Sequence, residues 1–327
     1  MKQRIVALAH DPGGANAVAC TVAALRAAGF TVAAYVRGPA IAQFERLNVS
    51  CEEADDISVL EATVAKSSLV VTGTSEADRA EVLLSLMARK HKVPCVAVLD
   101  YWAKYRMRFV LQQDGTEQLV LPNAITAIDD VCAAEMVADG LPIERIHITG
   151  QPYFSWLCER SVVSGNVPRQ AKRIFFASQP HPAAKEVLNA LVELLADNDR
   201  FNQLLVRFHP RETELSPSLD LLERSGIVYS IDRSRDVLVT MSSCDCVVGL
   251  SSVILIEAAL MGVPVASFVP PSWENPLKTN SYGLTIPMTS SDELKSFLAG
   301  EIEQWRREEF CRMQDGTLRK IVDLCRE

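Results

Sequence analysis

Short runs of β-branched and aliphatic residues alternate along the chain with longer stretches whose apolar positions recur at helical spacing. This order is expected of βαβ units and a parallel sheet. Residues 5–9, 31–36, 68–72, 94–99, 124–128 and 146–149 read as strands, and 15–28 and 75–91 as helices. In the second helix Val82, Leu83, Leu86 and Met87 share a face, while Glu76, Asp78, Glu81 and Lys90 lie elsewhere. Gly29 stands where a helix C-cap is wanted.

The pattern then restarts. After Gly150-Gln151-Pro152-Tyr153 the strand character fades, and residues 161–172, rich in Ser, Gly, Pro and basic side chains, read as an interdomain linker. A second series follows, with strands at 173–177, 204–208, 227–231, 245–248 and 264–269 and helices near 183–196 and 251–261. The economical division is a first Rossmann-like domain over 1–160, a second over 161–305 and a helical tail over 306–327 that folds back on the first. A tail packed by a single apolar stripe (Leu294, Phe297, Ile302, Trp305) is the plainer alternative.

At 327 residues the chain is long enough for two domains of ordinary size, and its 48% hydrophobic and 23% charged composition excludes a disordered or collagen-like protein. The most apolar stretch, 15–36, is broken by Arg26 and Gly29, so no transmembrane helix is predicted. The N-terminal apolar run is too short for a signal peptide, and a cytoplasmic protein is expected. A net charge of −8 argues against nucleic-acid coating. The nine cysteines are scattered through apolar segments and read as reduced core thiols. Cys244-Asp245-Cys246 lacks a second pair at zinc-site spacing, so no metal site is assigned.

In doubly wound sheets ligands bind beyond the carboxyl ends of the strands, which directs attention to the residues after each one. His10-Asp11-Pro12-Gly13-Gly14-Ala15-Asn16 follows the first strand. Its paired glycines allow close backbone approach, and His10 with Asp11 forms a titratable pair suited to deprotonating an alcohol. Asp11 as a helix cap, with His10 packed beneath it, is the structural alternative. The spacing is not Gly-x-Gly-x-x-Gly, which disfavours a nicotinamide dinucleotide. Thr72-Gly73-Thr74-Ser75 is a second strand end, offering a hydroxyl site at Thr74 or a helix cap at Ser75. Asp100 follows a further strand, and Tyr101, Trp102 and Tyr105 beside Lys104, Arg106 and Arg108 suit sugar stacking, an anionic lipid surface or simple packing.

In the second half, Arg207-Phe208-His209-Pro210-Arg211 places a histidine between two arginines at a strand exit fixed by proline, a set suited to phosphate. Gly249-Leu250-Ser251-Ser252 closes a buried strand and opens a helix, whose amides and hydroxyls can cradle a diphosphate, and Glu257 stands inside that otherwise apolar helix.

Taken together, the Gly-rich first loop, Arg-x-His-Pro, Gly-x-Ser-Ser with Glu-Ala, and Gly-x-Pro resemble the GT-B glycosyltransferase superfamily. Within it they are most similar to bacterial surface-polysaccharide and CDP-glycerol glycerophosphotransferase-like enzymes. The resemblance covers about residues 1–305 and implies an α/β fold of two Rossmann-like domains facing a central cleft. It implies a nucleotide-activated donor held in the second domain by Ser178, Gln179, His209, Ser251 and Ser252, with Glu257 on the ribose, beside the phosphate set of Arg207, Arg211 and Gly249 read from the residues themselves. The acceptor side would comprise Gly13, Gly14, Asn16, Thr74 and Asp100, with Asp11 or His10 as base and His209 assisting departure of the phosphate. The implied reaction transfers a sugar or polyol phosphate to a glycan or lipid-linked acceptor, with no metal or cofactor and with peripheral contact at the inner membrane face. The acidic base motif of bacterial sialyltransferases is echoed only by Gln113-Asp114-Gly115. The His-Val-Glu-Ala-Gly stretch of UDP-N-acetylglucosamine 2-epimerases is missing, which leaves that isomerase, or a nucleotide-sugar-binding protein without turnover, as the alternative.

Overall fold

The computed structural model describes residues 3–76, 78–113, 115–160, 172–196, 203–300 and 306–326. The chain divides into two compact units, Met1–Trp156 with Met313–Glu327, and Leu157–Arg312.

In the first unit the strands are β1 (Arg4–Ala9), β2 (Thr31–Val36), β3 (Glu52–Glu53), β4 (Leu69–Thr72), β5 (Cys95–Val98), β6 (Val110–Gln113), β7 (Thr116–Leu119), β8 (Ala124–Ala127) and β9 (Ile146–Ile148). Seven form one parallel sheet in the order β3-β2-β1-β4-β5-β8-β9, and β6 and β7 make a separate antiparallel hairpin. The helices are α1 (Pro12–Ala27), α2 (Ala40–Arg46), α3 (Glu61–Val64), α4 (Ala80–Lys90), α5 (Asp130–Ala138) and α6 (Pro152–Glu159).

Alternate residues of β1 serve opposite faces of the sheet. Ile5, Ala7 and Ala9 pack with α1, while Val6 and Leu8 pack with Val64, Ala80, Leu84 and Ala88 on the other side. A parallel sheet covered on both faces is the reason its strands read as continuous apolar runs.

The second unit holds β10 (Arg173–Ala177), β11 (Gln203–Arg207), β12 (Tyr229–Ile231), β13 (Cys246–Gly249), β14 (Val265–Phe268) and β15 (Ile286–Met288), all parallel, in the order β12-β11-β10-β13-β14-β15. Its helices are α7 (Ala183–Ala196), α8 (Ser216–Ser225), α9 (Val237–Ser242), α10 (Val253–Leu260) and α11 (Ser291–Ala299), followed by α12 (Arg307–Met313). The last helix, α13 (Thr317–Leu324), packs on α1 of the first unit, where Ile321, Val322 and Cys325 join the core. The C-terminal stretch is therefore three short helices, one of them started by a capping box between Ser290 and Glu293.

Every predicted strand is present, with ends moved by a residue or two. Three readings change. The helix predicted from residue 75 starts at Ala80, where the Asp78 carboxylate accepts the Ala80 N–H at 2.6 Å. Its buried residues are Ala80, Glu81, Val82, Leu84, Ser85 and Ala88; of the expected face Val82 packs with Leu111 and Val120 beside Leu86, Met87 is half-buried against the sheet-side cluster, and Leu83 is 37% exposed. On the sheet side Ala80 and Ala88 flank Leu84, and the two alanines let this helix lie close to the sheet. The nine cysteines are not all thiols, because Cys158 and Cys311 form a disulfide; of the other seven, all but the half-buried Cys51 are buried. The predicted linker lies outside the described residues except at Lys172, as do Ile302 and Trp305.

Candidate functional site

Each sheet reverses its strand order once, between β1 and β4 in the first unit and between β10 and β13 in the second. The loops that leave adjacent strands in opposite directions open a crevice there, and both crevices carry residues anticipated from the sequence.

In the first unit Asp11 occupies the N-cap position of α1, but its side chain does not cap the helix. Instead Oδ1 contacts His10 Nδ1 at 2.7 Å and Oδ2 accepts the Glu76 N–H at 2.9 Å. Asp11 thus orients the imidazole and leaves Nε2 directed toward Asp78, 3.7 Å away and itself paired with Arg37 at 3.5 Å, and against Gly38, where a Cβ would lie 3.0 Å from it. A histidine held at Nδ1 by a carboxylate has the arrangement of a general base, with Asp11 as its orienting partner. Ser75 does not cap a helix either; its hydroxyl accepts the Asp11 N–H at 3.0 Å and joins the two loops across the crevice.

Asp100 and Thr74 belong to the same cluster. Arg108, buried, donates through Nη1 to Asp100 Oδ1 at 2.7 Å, to the Thr74 carbonyl at 2.6 Å and to its hydroxyl at 3.0 Å. Asp100 Oδ2 lies against Gly13 so closely that a Cβ there would overlap it, which is the local reason for glycine at that position. A carboxylate of the chain itself therefore sits at the start of α1, and the first loop is an acidic crevice rather than a phosphate cradle. Gly14 packs against the Gly73–Thr74 backbone. Asn16 is buried, and its Oδ1 accepts from Arg46 at 2.9 Å, a guanidinium that also donates to the Tyr153 hydroxyl.

The sequence reading passed over Glu81. It is 2% exposed, with Oε1 accepting the His10 N–H at 3.2 Å and Oε2 accepting the Ser75 N–H. Burial pushes its carboxyl up to about 7, reinforced by the charges of Asp11 and Asp100 and opposed by the bonds from Ser75. A glutamate on the small-residue side of a helix was the available signal.

The aromatic segment after β5 is packed inward. Trp102 is buried, stacks on Phe154 at 5.7 Å and donates Nε1–H to Asp129 at 2.7 Å, and the Tyr105 hydroxyl donates to Glu135 at 2.6 Å. Of the three uses left open for this segment, Trp102 and Tyr105 take packing, since rings with satisfied polar atoms inside a core are not offered to a ligand. Among the described residues no helix is long and apolar enough to cross a membrane.

The second crevice differs in chemistry. The Gln179 side chain, after β10, accepts the Ser251 N–H at 2.7 Å and so ties the loop after β10 to the loop after β13. Gly249 is required where β13 passes β10, because a Cβ would lie 2.9 Å from the Ala177 carbonyl oxygen. Ser252 is the N-cap of α10, accepting the Ile254 N–H, and Glu257 is buried on the same helix.

One predicted phosphate ligand is placed otherwise. Arg207 donates to Asp232 at 2.5 Å and to the Ser234 carbonyl at 3.1 Å, so its charge is spent at the end of β12. Burial opposes ionisation of Asp232, but the bonds from Arg207 and Ser234 and the Arg207 charge outweigh it and hold the carboxyl below its ordinary range. His209 is pushed down by burial and by the Arg211 charge, which favours a neutral ring. Its Nδ1 accepts the Arg211 N–H at 3.1 Å, leaving the proton on Nε2 as a donor. The carboxylate of Glu212, unanticipated, takes the Ser178 hydroxyl at 2.7 Å and the His209 N–H at 2.5 Å. Beside Ser178, His181 stands edge-on to Trp273 at 4.4 Å between ring centroids. Asp114 of the partial acidic motif lies outside the described residues. Among those described, no three His, Cys, Asp or Glu side chains are placed to hold one metal ion.

No protein-family model matches the chain, and no curated protein matches its sequence. Solved structures do. The UDP-GlcNAc 2-epimerase of Methanocaldococcus jannaschii superposes with a TM-score of 0.71 at 14% identity, over 99% of this chain and 100% of that one. The Neisseria meningitidis UDP-GlcNAc 2-epimerase, solved with UDP-GlcNAc bound, gives 0.69 at 13% identity over 99% and 100%. MurG of Acinetobacter baumannii gives 0.56 at 11% identity over 99% of each chain. The chain has the fold these proteins share, two α/β domains with parallel sheets of GT-B type.

Proposed function

We propose that the protein is an enzyme acting on a nucleotide-activated sugar, with isomerisation of the UDP-N-acetylglucosamine 2-epimerase kind as its reaction. The observation that carries this reading is the proton-transfer set at the β1–β4 crevice: His10 held by Asp11 at 2.7 Å, with Asp100 and Glu81 directly behind the same loop. Inverting a carbon centre requires a proton to be removed and another returned, and several titratable groups on one crevice suit that better than the single base a transfer reaction needs. His10 is assigned as base, Asp11 as its orienting partner, and Asp100 as the second acid–base group. In the second unit, Ser178, His209 through Nε2–H, and the α10 N-terminus behind Ser252 would hold the diphosphate. Similarity in fold to nucleotide-sugar epimerases supports the choice of substrate class.

The second reading is transfer of the sugar to a glycan or lipid-linked acceptor. It is favoured by one feature, Gly-x-Ser-Ser in place at the start of α10 without the His-Val-Glu-Ala-Gly stretch.

Incubation with UDP-GlcNAc alone in deuterated water separates the two. The isomerase reading expects a changed sugar carrying solvent deuterium at the inverted carbon, with the rate lowered at least about 100-fold in His10→Asn. An unaltered sugar without acceptor, together with release of UDP when a glycan acceptor is supplied, would replace it by the transferase.

A further inference from the structure

The two crevice loops of the first unit are joined by one buried side chain. Glu81 reaches back from the first turn of α4, and each of its oxygens takes a different loop's amide: His10 after β1 on Oε1 at 3.2 Å, and Ser75 after β4 on Oε2. The residues next to those amides carry the direct cross-links, Asp11 N–H to Ser75 Oγ at 3.0 Å and Glu76 N–H to Asp11 Oδ2 at 2.9 Å. Room for the carboxylate is made by Gly73, where a Cβ would overlap Oε1. Among the described residues Glu81 forms no ion pair. The charged and titratable groups around it are His10 and Asp11 from the β1 loop, Glu76 and Asp78 from the β4 loop, and Asp100 with its partner Arg108 from beyond β5.

We propose that Glu81 is a positioning residue: its ionised carboxylate clasps the two loops and holds His10 and Asp11 in their working alignment, and protonation releases one of them. The inference rests on the function proposed above for the role of His10. An ionised carboxylate accepts both amides in charge-assisted bonds, whereas the acid keeps a proton on one oxygen and loses acceptor strength there. Burial, reinforced by the carboxylates of Asp11 and Asp100, brings this change into the neutral range, so the clasp opens as pH falls and closes as pH rises.

Amide hydrogen exchange at His10 and Ser75, corrected for intrinsic rates, tests the clasp on the whole protein without substrate. In wild type, protection at one or both amides should rise roughly tenfold between pH 6 and pH 8, and in Glu81→Gln it should be flat. Gly73→Ala, which pushes on the same carboxyl from its other side, should lower protection at both amides without abolishing the fold. Identical pH profiles in wild type and Glu81→Gln would overturn the proposal. Where turnover of UDP-GlcNAc is present, its rise with pH should follow the same transition and disappear in Glu81→Gln. Because exchange is read without substrate, a wild type that lacks turnover counts against the function and not against the clasp.

Discussion

At the scale of single residues, the buried Glu81 carries a consequence for stability as well as for alignment. Its carboxyl is raised to about 7 in the folded protein against 4.5 for the unfolded group. The folded state therefore binds the proton more tightly. This contribution is fully present below pH 4.5 and is lost as pH climbs through 7, by about 3 kcal/mol in all. Thermal denaturation from pH 5 to pH 8 should show wild type losing stability relative to Glu81→Gln by that order; parallel curves would mean the carboxyl titrates in its ordinary range. The place of His10 and Asp11 at the β1–β4 crevice was legible because they follow the first strand directly, beside two glycines. Glu81 was not, because Val82, Leu83, Leu86 and Met87 marked only one packed side of α4, against Leu111 and Val120, and the packing of Ala80, Leu84 and Ala88 on the sheet is what turns the glutamate inward.

At the scale of elements, strands with both faces buried announced themselves as unbroken apolar runs, and each was found within a residue or two. The hairpin β6–β7 was missed, for its second strand, Thr116–Leu119, is mostly polar and exposed and is defined by pairing alone. Short edge strands such as Glu52–Glu53 leave no periodicity to read. Side-chain destinations at an element's end were equally illegible: Arg207 is the last residue of β11, yet Asp232, just past the neighbouring β12, captures it. The turn after β11 shows the same effect, since Glu212 folds back onto Ser178 and His209. If those two residues face the diphosphate, Glu212 competes with it. Glu212→Gln should then tighten UDP binding several-fold at low salt, with a smaller gain at high salt, whereas unchanged or weaker affinity would place the phosphates elsewhere.

At the scale of the whole molecule, the restart of the βαβ pattern after residue 150 conveyed the two α/β domains, and structures at 11–14% identity share that GT-B architecture. A net charge of −8 described the surface but hid the division of chemistry between the units. The first gathers Asp11, Asp78, Glu81 and Asp100 around one histidine, and the second presents a Gln179–Ser251 tie, a capped helix start and a neutral-leaning His209. Covalent closure of the second unit was hidden too, because the pairing of Cys158 with Cys311 spans 153 residues and no local spacing signals it.

The proposed function requires the second unit to bind a nucleotide diphosphate at its strand-order reversal, and calorimetric titration with UDP and UDP-GlcNAc tests this most directly. Wild type should bind saturably and one-to-one, and a Gln179→Ala, Ser252→Ala double variant that keeps its fold should bind at least about tenfold more weakly. Absence of binding at millimolar nucleotide, or equal affinity in the double variant, would contradict it.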